Sequence, residues 1–408
     1  MSTIFRIYRN AFAGLPPSAW ILTGVMLINR SGSVVLFFLT LYLTRELAFT
    51  PAEAGRVLSL YGVGSIGAAF MGGYLTDRLS AKTVQVASLI CGGIGFMVLG
   101  FVKSPLAIGM TILLVALVGE SLRPANATAL ATVCPPALRP RGFALNRLAV
   151  NLGVSIGPAI GGFLASRDYH LLFWADGLTC IAAGLVLWRW FHPPPYADEP
   201  ERPSARRARA GLSPWRDGLF LAILVTVFLS GVVFTQLFST WPLFMESVYR
   251  LSERQIGLLM GLNGVVIVLT EMPIVHALER FRRMRVVAAG TLLLFGGFAI
   301  LPWGSALVYA ALSVLIWTAG EILVFPLVPS VIADRTVTAN RGRYMGMFNM
   351  SFASAFVAGP LLGTWIYEAM GGAVLWTAAG LLGIVVAAVH LGIDRRLRGE
   401  EEEDAAAA

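Results

Sequence analysis

Long apolar stretches separated by short polar turns run the whole length of the chain, near 19–43, 55–75, 83–102, 106–130, 143–165, 170–191, 218–243, 255–277, 285–302, 305–329, 344–366 and 372–394. Each approaches the roughly 20 residues of helix that cross a hydrocarbon core. Helices are the predicted form, because in hydrocarbon every backbone N–H and C=O must find its partner within one segment or in a closed barrel. The stretches lack the apolar/polar alternation that barrel strands need. The first stretch is longer than a signal-peptide core and has no convincing cleavage site, so it reads as a retained span.

The polar interruptions repeat. Gly119-Glu120 in an apolar run, Arg141-Gly142 in a basic turn and Gly157-Pro158 with Gly161 return about 200 residues later as Gly320-Glu321, Arg341-Gly342 and Gly359-Pro360 with Gly363. The chain therefore reads as an all-α membrane protein of twelve transmembrane helices in two pseudo-symmetric six-helix bundles. Residues 1–191 form the first bundle and 218–394 the second. Residues 192–217, rich in proline and arginine, form a cytoplasmic linker, and 395–408 a disordered cytoplasmic tail.

Composition agrees: at 57% hydrophobic and 13% charged, a water-soluble domain could not cover its surface. The formal charge of +8 would suit nucleic acid, but its placement decides otherwise. Arg78 and Lys82, Arg139 and Arg141, Arg206, Arg207 and Arg209, Arg280 to Arg285, and Arg395, Arg396 and Arg398 crowd alternate loops. Positive residues stay cytoplasmic, which puts both termini inside. Arg6 and Arg9 lead into the first span as a short basic segment suited to the inner membrane surface. Cys91, Cys134 and Cys180 have no paired spacing, and neither a disulfide nor a metal site is expected. No phosphate loop, ligand cluster or nucleophile triad is present, which argues against an ATP-driven pump, an enzyme or a bound cofactor.

Charge inside the apolar stretches marks the candidate site. Arg30, beside Asn29, sits in mid-span, where a charge costs at least about 2.5 kcal/mol and must face a partner or water. Glu120 and Arg123 lie three apart on one helical face with Asn126 a turn further, and Gly119 and Pro124 weaken the helix there. Glu120 is the leading candidate for a proton-binding carboxylate, since burial raises its affinity for a proton and a neighbouring arginine lowers it. A permanent Glu120–Arg123 pair that only anchors helices is the alternative. Span five adds Asn146, Arg147 and Asn151. The second half offers Gln236, Asn263, Glu271 ahead of Pro273, Glu321 in the repeat position of Glu120, and Asn349. Glu271 and Glu321 are further proton-coupling candidates; Arg30, Arg123, Asn126, Arg147, Gln236 and Asn263 are candidates for a substrate cavity. Asp176 is expected at the outer interface, capping its own helix. No role is assigned to the histidines.

Two motifs carry a family resemblance across essentially the whole chain. Gly73, Leu75, Asp77, Arg78 and Lys82 match the loop between spans two and three of the major facilitator superfamily, with Ser80 and Ala81 where that pattern has glycine and arginine. The resemblance implies a latch in which Asp77, Arg78 and Lys82 hold two helix bundles together on the cytoplasmic side, with a degenerate copy at Glu279, Arg280, Arg283 and Arg285. Gly153, Gly157, Pro158, Gly161 and Gly162 match the span-five pattern of the drug:proton antiporter group, where glycines clear a groove for a neighbouring helix and the proline fixes a bend. The arginine that such exporters carry in span four would fall near Val115 here. What the resemblance implies is alternating access around a midplane cavity, with protons exchanged for small amphipathic compounds at the inner membrane of a bacterium, by a monomer among lipids. Proton-coupled movement of an anionic or zwitterionic metabolite is the alternative, suited to Arg30, Arg123 and Arg147.

Overall fold

The computed structural model describes residues 14–135, 138–192, 214–278, 280–336 and 338–407. The segment with Arg6 and Arg9, nearly all of the linker and Glu279 lie outside the described residues. Among the described residues twelve helices are long and apolar enough to cross a membrane: α1 Pro17–Arg45, α2 Pro51–Arg78, α3 Ala81–Leu99, α4 Pro105–Val133, α5 Arg139–Ala165, α6 His170–Trp190, α7 Gly218–Phe238, α8 Glu253–Leu278, α9 Arg283–Trp303, α10 Leu307–Ala333, α11 Thr338–Met370 and α12 Gly372–Ala407. Large apolar side chains such as Phe70, Leu106, Trp188 and Val308 are exposed, as they must be on helices whose solvent is lipid.

Two compact units form. One comprises residues 1–47, 60–199 and 252–265; the other comprises 48–59, 200–251 and 266–408. The start of α2 belongs to the second unit and the start of α8 to the first. Glycine explains both exchanges. In the second unit a Cβ on Gly55 would lie 2.0 Å from Thr364 Oγ1 and 2.7 Å from the Pro360 carbonyl, and Ser59 donates to the carbonyl of Val357 at 2.8 Å. In the first, Gly257 of α8 and Gly162 of α5 approach so closely that a Cβ on Gly257 would meet the Pro158 carbonyl at 2.3 Å. Small residues let backbones meet where lipid-like side chains supply no drive for association.

Each unit has its own core. Leu22, Met26, Leu89, Leu130, Leu145 and Leu187 pack together in the first; Phe220, Ile223, Val287, Ile332 and Tyr344 do so in the second. In the second unit Asp217 accepts from the Phe220 amide at 3.0 Å, capping α7, and its carboxylate also takes two nitrogens of Arg335 at 3.1 to 3.3 Å.

The C-terminal end differs from the expected disordered tail. Helix α12 continues to Ala407, because its last turns hold alanine and a Glu/Arg-rich run, all strong helix formers. Arg398 pairs with Glu402 one turn on at 2.6 Å, and Glu400 is tied at 2.8 Å to Arg335 in the turn between α10 and α11.

Candidate functional site

Helix α4 pauses at Glu120–Ser121, a turn between Gly119 and Leu122. Pro124 has no N–H to return to the carbonyl of Glu120, and the Arg123 amide takes that acceptor instead at 3.1 Å. Gly72 of α2 fits against the turn, where a Cβ would stand 2.8 Å from Pro124 and 2.9 Å from Ser121. The pause turns Glu120 inward until the residue is 8% exposed. Its carboxylate is ion-paired to Arg123 through Nε, lies 3.7 Å from Arg30 Nη1 of α1, and accepts the Tyr61 hydroxyl of α2 at 2.7 Å. Two guanidiniums and one carboxylate leave this cluster net positive. The Arg30 side chain is 12% exposed but that of Arg123 is 64% exposed, so one arginine is sequestered and the other is open to its surroundings.

Arg30 is held where it is by a break in α1. The first segment ends at Gly32 and the helix restarts at Val35. The glycine motif of α5 makes room for that break. A Cβ on Gly153 would lie 2.6 Å from Arg30 Cβ, one on Gly157 3.1 Å from the Arg30 carbonyl, and one on Gly161 2.9 Å from Val34 Cβ. The motif's fourth glycine, Gly162, serves α8 instead: a Cβ there would stand 2.4 Å from the Glu253 carbonyl. On the other side of the break, Asp176 of α6 is 1% exposed and accepts the amides of Val34 and Val35, each at 3.2 Å. It caps the second half of α1. The expected cap of α6 is thereby corrected: nearly two turns into α6, the carboxylate faces the bundle, and the α6 N-cap is Tyr169.

The remaining sequence candidates fall in different places. Asn126 is buried and donates to Asn146 at 3.1 Å, and Arg147 on the same stretch of α5 is exposed. Gln236 does not stand free for a ligand. Its amide donates to the carbonyls of Val232 and Gly359 at 2.8 Å each, while its oxygen accepts Thr240 and Ser239; it braces an irregular turn of α7 that Gly363 approaches. Asn263 is buried in the first unit, and Glu271 and Glu321 are half-buried in the second. The repeat is imperfect at the site. Glu120 stands in the pause of α4, whereas Glu321 lies within the regular part of α10, which pauses later at Phe325-Pro326.

Among the described residues Asp77 has no ion pair and is exposed, Arg78 lies over the Tyr74 ring at 4.6 Å, and Gly73 has open space around it. Ser80 caps α3, accepting from Thr83 N at 3.2 Å, with φ 146° and ψ 153°. That backbone region is open to glycine and strained for serine, which accounts for the glycine in the corresponding family pattern.

Sequence reasoning did not single out Tyr61, Cys180 or an aromatic run in the second unit, in which Phe234, Phe325, Phe352, Phe356 and Phe238 follow one another at centroid distances of 4.9, 6.0, 6.0 and 5.4 Å. Nor did it find the cluster in which Glu253 pairs with Arg45 and accepts the Tyr169 hydroxyl at 2.9 Å. Burial and the Glu253 carboxylate hold that phenol well above its ordinary range. Aromatics spaced on different helices leave no contiguous signal, and a tyrosine in an apolar run reads as packing.

Twelve apolar helices and a buried, arginine-bound carboxylate define a multi-pass membrane protein with a charged intramembrane centre. The family model "Major Facilitator Superfamily" matches residues 19–354 and 249–407, and the chain belongs to that superfamily; it is a secondary transporter of a small-molecule substrate rather than an enzyme. Among similar proteins, a Na(+), Li(+), K(+)/H(+) antiporter of Planococcus maritimus is 24% identical over 83% of this chain and 87% of its own. The multidrug resistance protein MdtH of Edwardsiella ictaluri is 23% identical over 87% of this chain and 89% of its own. The crystal structure of a mutant peptide transporter POT in complex with sulfate superposes with a TM-score of 0.80 at 16% identity, covering 94% of this chain and 96% of that one, a likeness of fold alone.

Proposed function

We propose that this protein is a proton-coupled exporter of small amphipathic compounds, with Glu120 as the group that carries the proton. The observation that carries the reading is the buried Glu120 carboxylate shared by Arg30, Arg123 and Tyr61 at a pause in α4. Holding the charged form requires the arginines, because an unpaired buried carboxylate is costly. Protonation converts the carboxylate to a neutral acid, dissolves both ion pairs and frees the arginines to move with their helices. Deprotonation draws them back. Two arrangements of one cluster, selected by one proton, are what coupling to a gradient needs. Relatives named as multidrug and cation/H(+) proteins support the exchange of a solute against protons, and the half-buried phenylalanines of the second unit offer an apolar body a sequence-tolerant surface. The arginine-rich loops support a bacterial inner-membrane protein with both termini cytoplasmic.

A second reading, exchange of an anionic or zwitterionic metabolite, is favoured by the cluster's net positive charge and by the exposure of Arg123. The test is proton release from detergent-solubilised protein on adding lipophilic cations and then organic anions or peptides, together with gradient-driven flux in proteoliposomes. Release by cations that vanishes in Glu120→Gln supports the exporter. Release by anions alone supports the second reading, and full gradient-driven transport by Glu120→Gln sinks the assignment of the proton to this residue.

A further inference from the structure

The break in α1 leaves the amides of Val34 and Val35 without the helical acceptors they would have in a continuous helix, and a buried carboxylate supplies the substitute. Oδ2 of Asp176 takes both N–H groups at 3.2 Å. Its other oxygen accepts the Cys180 thiol at 3.7 Å, and Cys180 in turn accepts from Asn29 Nδ2 at 3.2 Å. Asn29 is the residue next to Arg30. One carboxylate thus holds α1 from both sides of its break, on the second half through two main-chain amides and on the first half through Cys180 and Asn29. Gly32 presses against Thr179 of the same α6 face, where a Cβ would stand 1.7 Å from the hydroxyl, so this contact leaves α1 little freedom of its own.

We propose that Asp176 is a second protonation site and a positioning residue: charged, it fixes the break in α1 and so the reach of Arg30 to Glu120; protonated, it lets the break relax. The proposal rests on the reading of Glu120 as the coupling group for its functional consequence, and on the geometry around α1 for the rest. Hydrogen bonds to a charged acceptor are roughly twice as strong as neutral ones, so one proton weakens both amide bonds at once. The charged and titratable groups that face Asp176 are Arg30 of α1 and Cys180 of its own helix, with Glu120 and Tyr61 reached through Arg30. Gly93 and Met97 of α3, which pack on the adjacent Gly177, and Gly157 of α5, which packs on the broken turn, carry no charge.

Asparagine separates this role from a merely structural cap. Asp176→Asn keeps a neutral oxygen for both amides but cannot titrate, and so mimics the protonated form. The experiment is hydrogen exchange read by mass spectrometry on the peptide covering residues 30–38 in the full-length protein without substrate, corrected for intrinsic rates. On acidification from about pH 8 to about pH 5 the wild type should lose protection at least about threefold. Asp176→Asn should exchange at the faster rate throughout. A wild type insensitive to pH overturns the proposal without any variant being needed, as does an Asp176→Asn protein that responds like wild type. Infrared difference spectra over the same range assign the proton. A carboxylic-acid band absent from Asp176→Asn and kept in Glu120→Gln supports the proposal, whereas the reverse gives the titration to Glu120 and overturns it while leaving the proposed function standing. Full coupled transport by Glu120→Gln would sink the proposed function and leave the exchange result at Asp176 in place.

Discussion

Replacing Ser80 by glycine should stabilise the protein. Ser80 holds φ 146° and ψ 153°, a region essentially reserved for glycine, in which another residue costs about 1–3 kcal/mol. Against that gain stand two losses. The Ser80 hydroxyl caps α3 through Thr83 N at 3.2 Å, and serine-to-glycine at a cap costs only a few tenths of a kcal/mol. Glycine also gives the unfolded chain freedom worth about 0.4–1 kcal/mol. The balance is a net gain of about 1 kcal/mol, which in a protein larger than 250 residues raises the melting temperature by roughly 1–2 °C. Ser80→Ala is the matched control, because it loses the cap and keeps the strained Cβ, and it should melt below wild type by a similar amount. The assay is intrinsic tryptophan fluorescence of detergent-solubilised protein heated at one fixed rate, since unfolding of such proteins is commonly irreversible. The sign of the glycine effect decides: a glycine variant that melts no higher than wild type, or as low as the alanine variant, refutes the argument from backbone strain.

Gly153→Ala should lower both stability and transport, because its Cβ would lie 2.6 Å from Arg30 Cβ and 3.0 Å from backbone and overpacking of this kind costs about 1–3 kcal/mol; Gly73→Ala, with open space around it, should leave both nearly unchanged, as melting and flux assays would show. Asp217→Ala should cost about 3 kcal/mol or more in unfolding assays, since it removes the cap of α7 and one partner of the sequestered Arg335. The Tyr249 hydroxyl, which donates to the Leu301 carbonyl at 2.7 Å, is pushed by burial up to about 12. Its folded-state affinity for the proton exceeds the unfolded one, so its contribution is fully present below about pH 10 and is lost as pH rises toward 12; the difference in phenolate absorbance between wild type and Tyr249→Phe should appear only above pH 11.

The spans were legible because hydrocarbon tolerates one kind of backbone, and Glu120 with Arg123 because charge in such a span must be explained. The glycines of α5 announced a groove, and Gly153, Gly157 and Gly161 fit one. What occupies it was hidden, since the break in α1 falls at Gly32–Val34 with no proline, and its cap lies in another span. Tyr61 was silent for the same reason: its partner is fixed by tertiary packing rather than spacing. Gln236 misled because a lone amide in an apolar run looks available until its four neighbours are placed. The C-terminal run looked too charged to order, although a block of arginines followed by a block of glutamates sets Arg398 one turn from Glu402 and lets Glu400 reach Arg335.

The tie between α6 and the broken helix also has a lopsided genetics. Val34 and Val35 contribute main-chain N–H groups to it, so nearly any side chain at those positions leaves the donors in place, and only proline deletes one. Variation at 34 and 35 therefore says little about this contact. The mutational sensitivity of these two amide bonds rests on position 176, and covariation with it could appear only along the side-chain branch through Cys180 and Asn29.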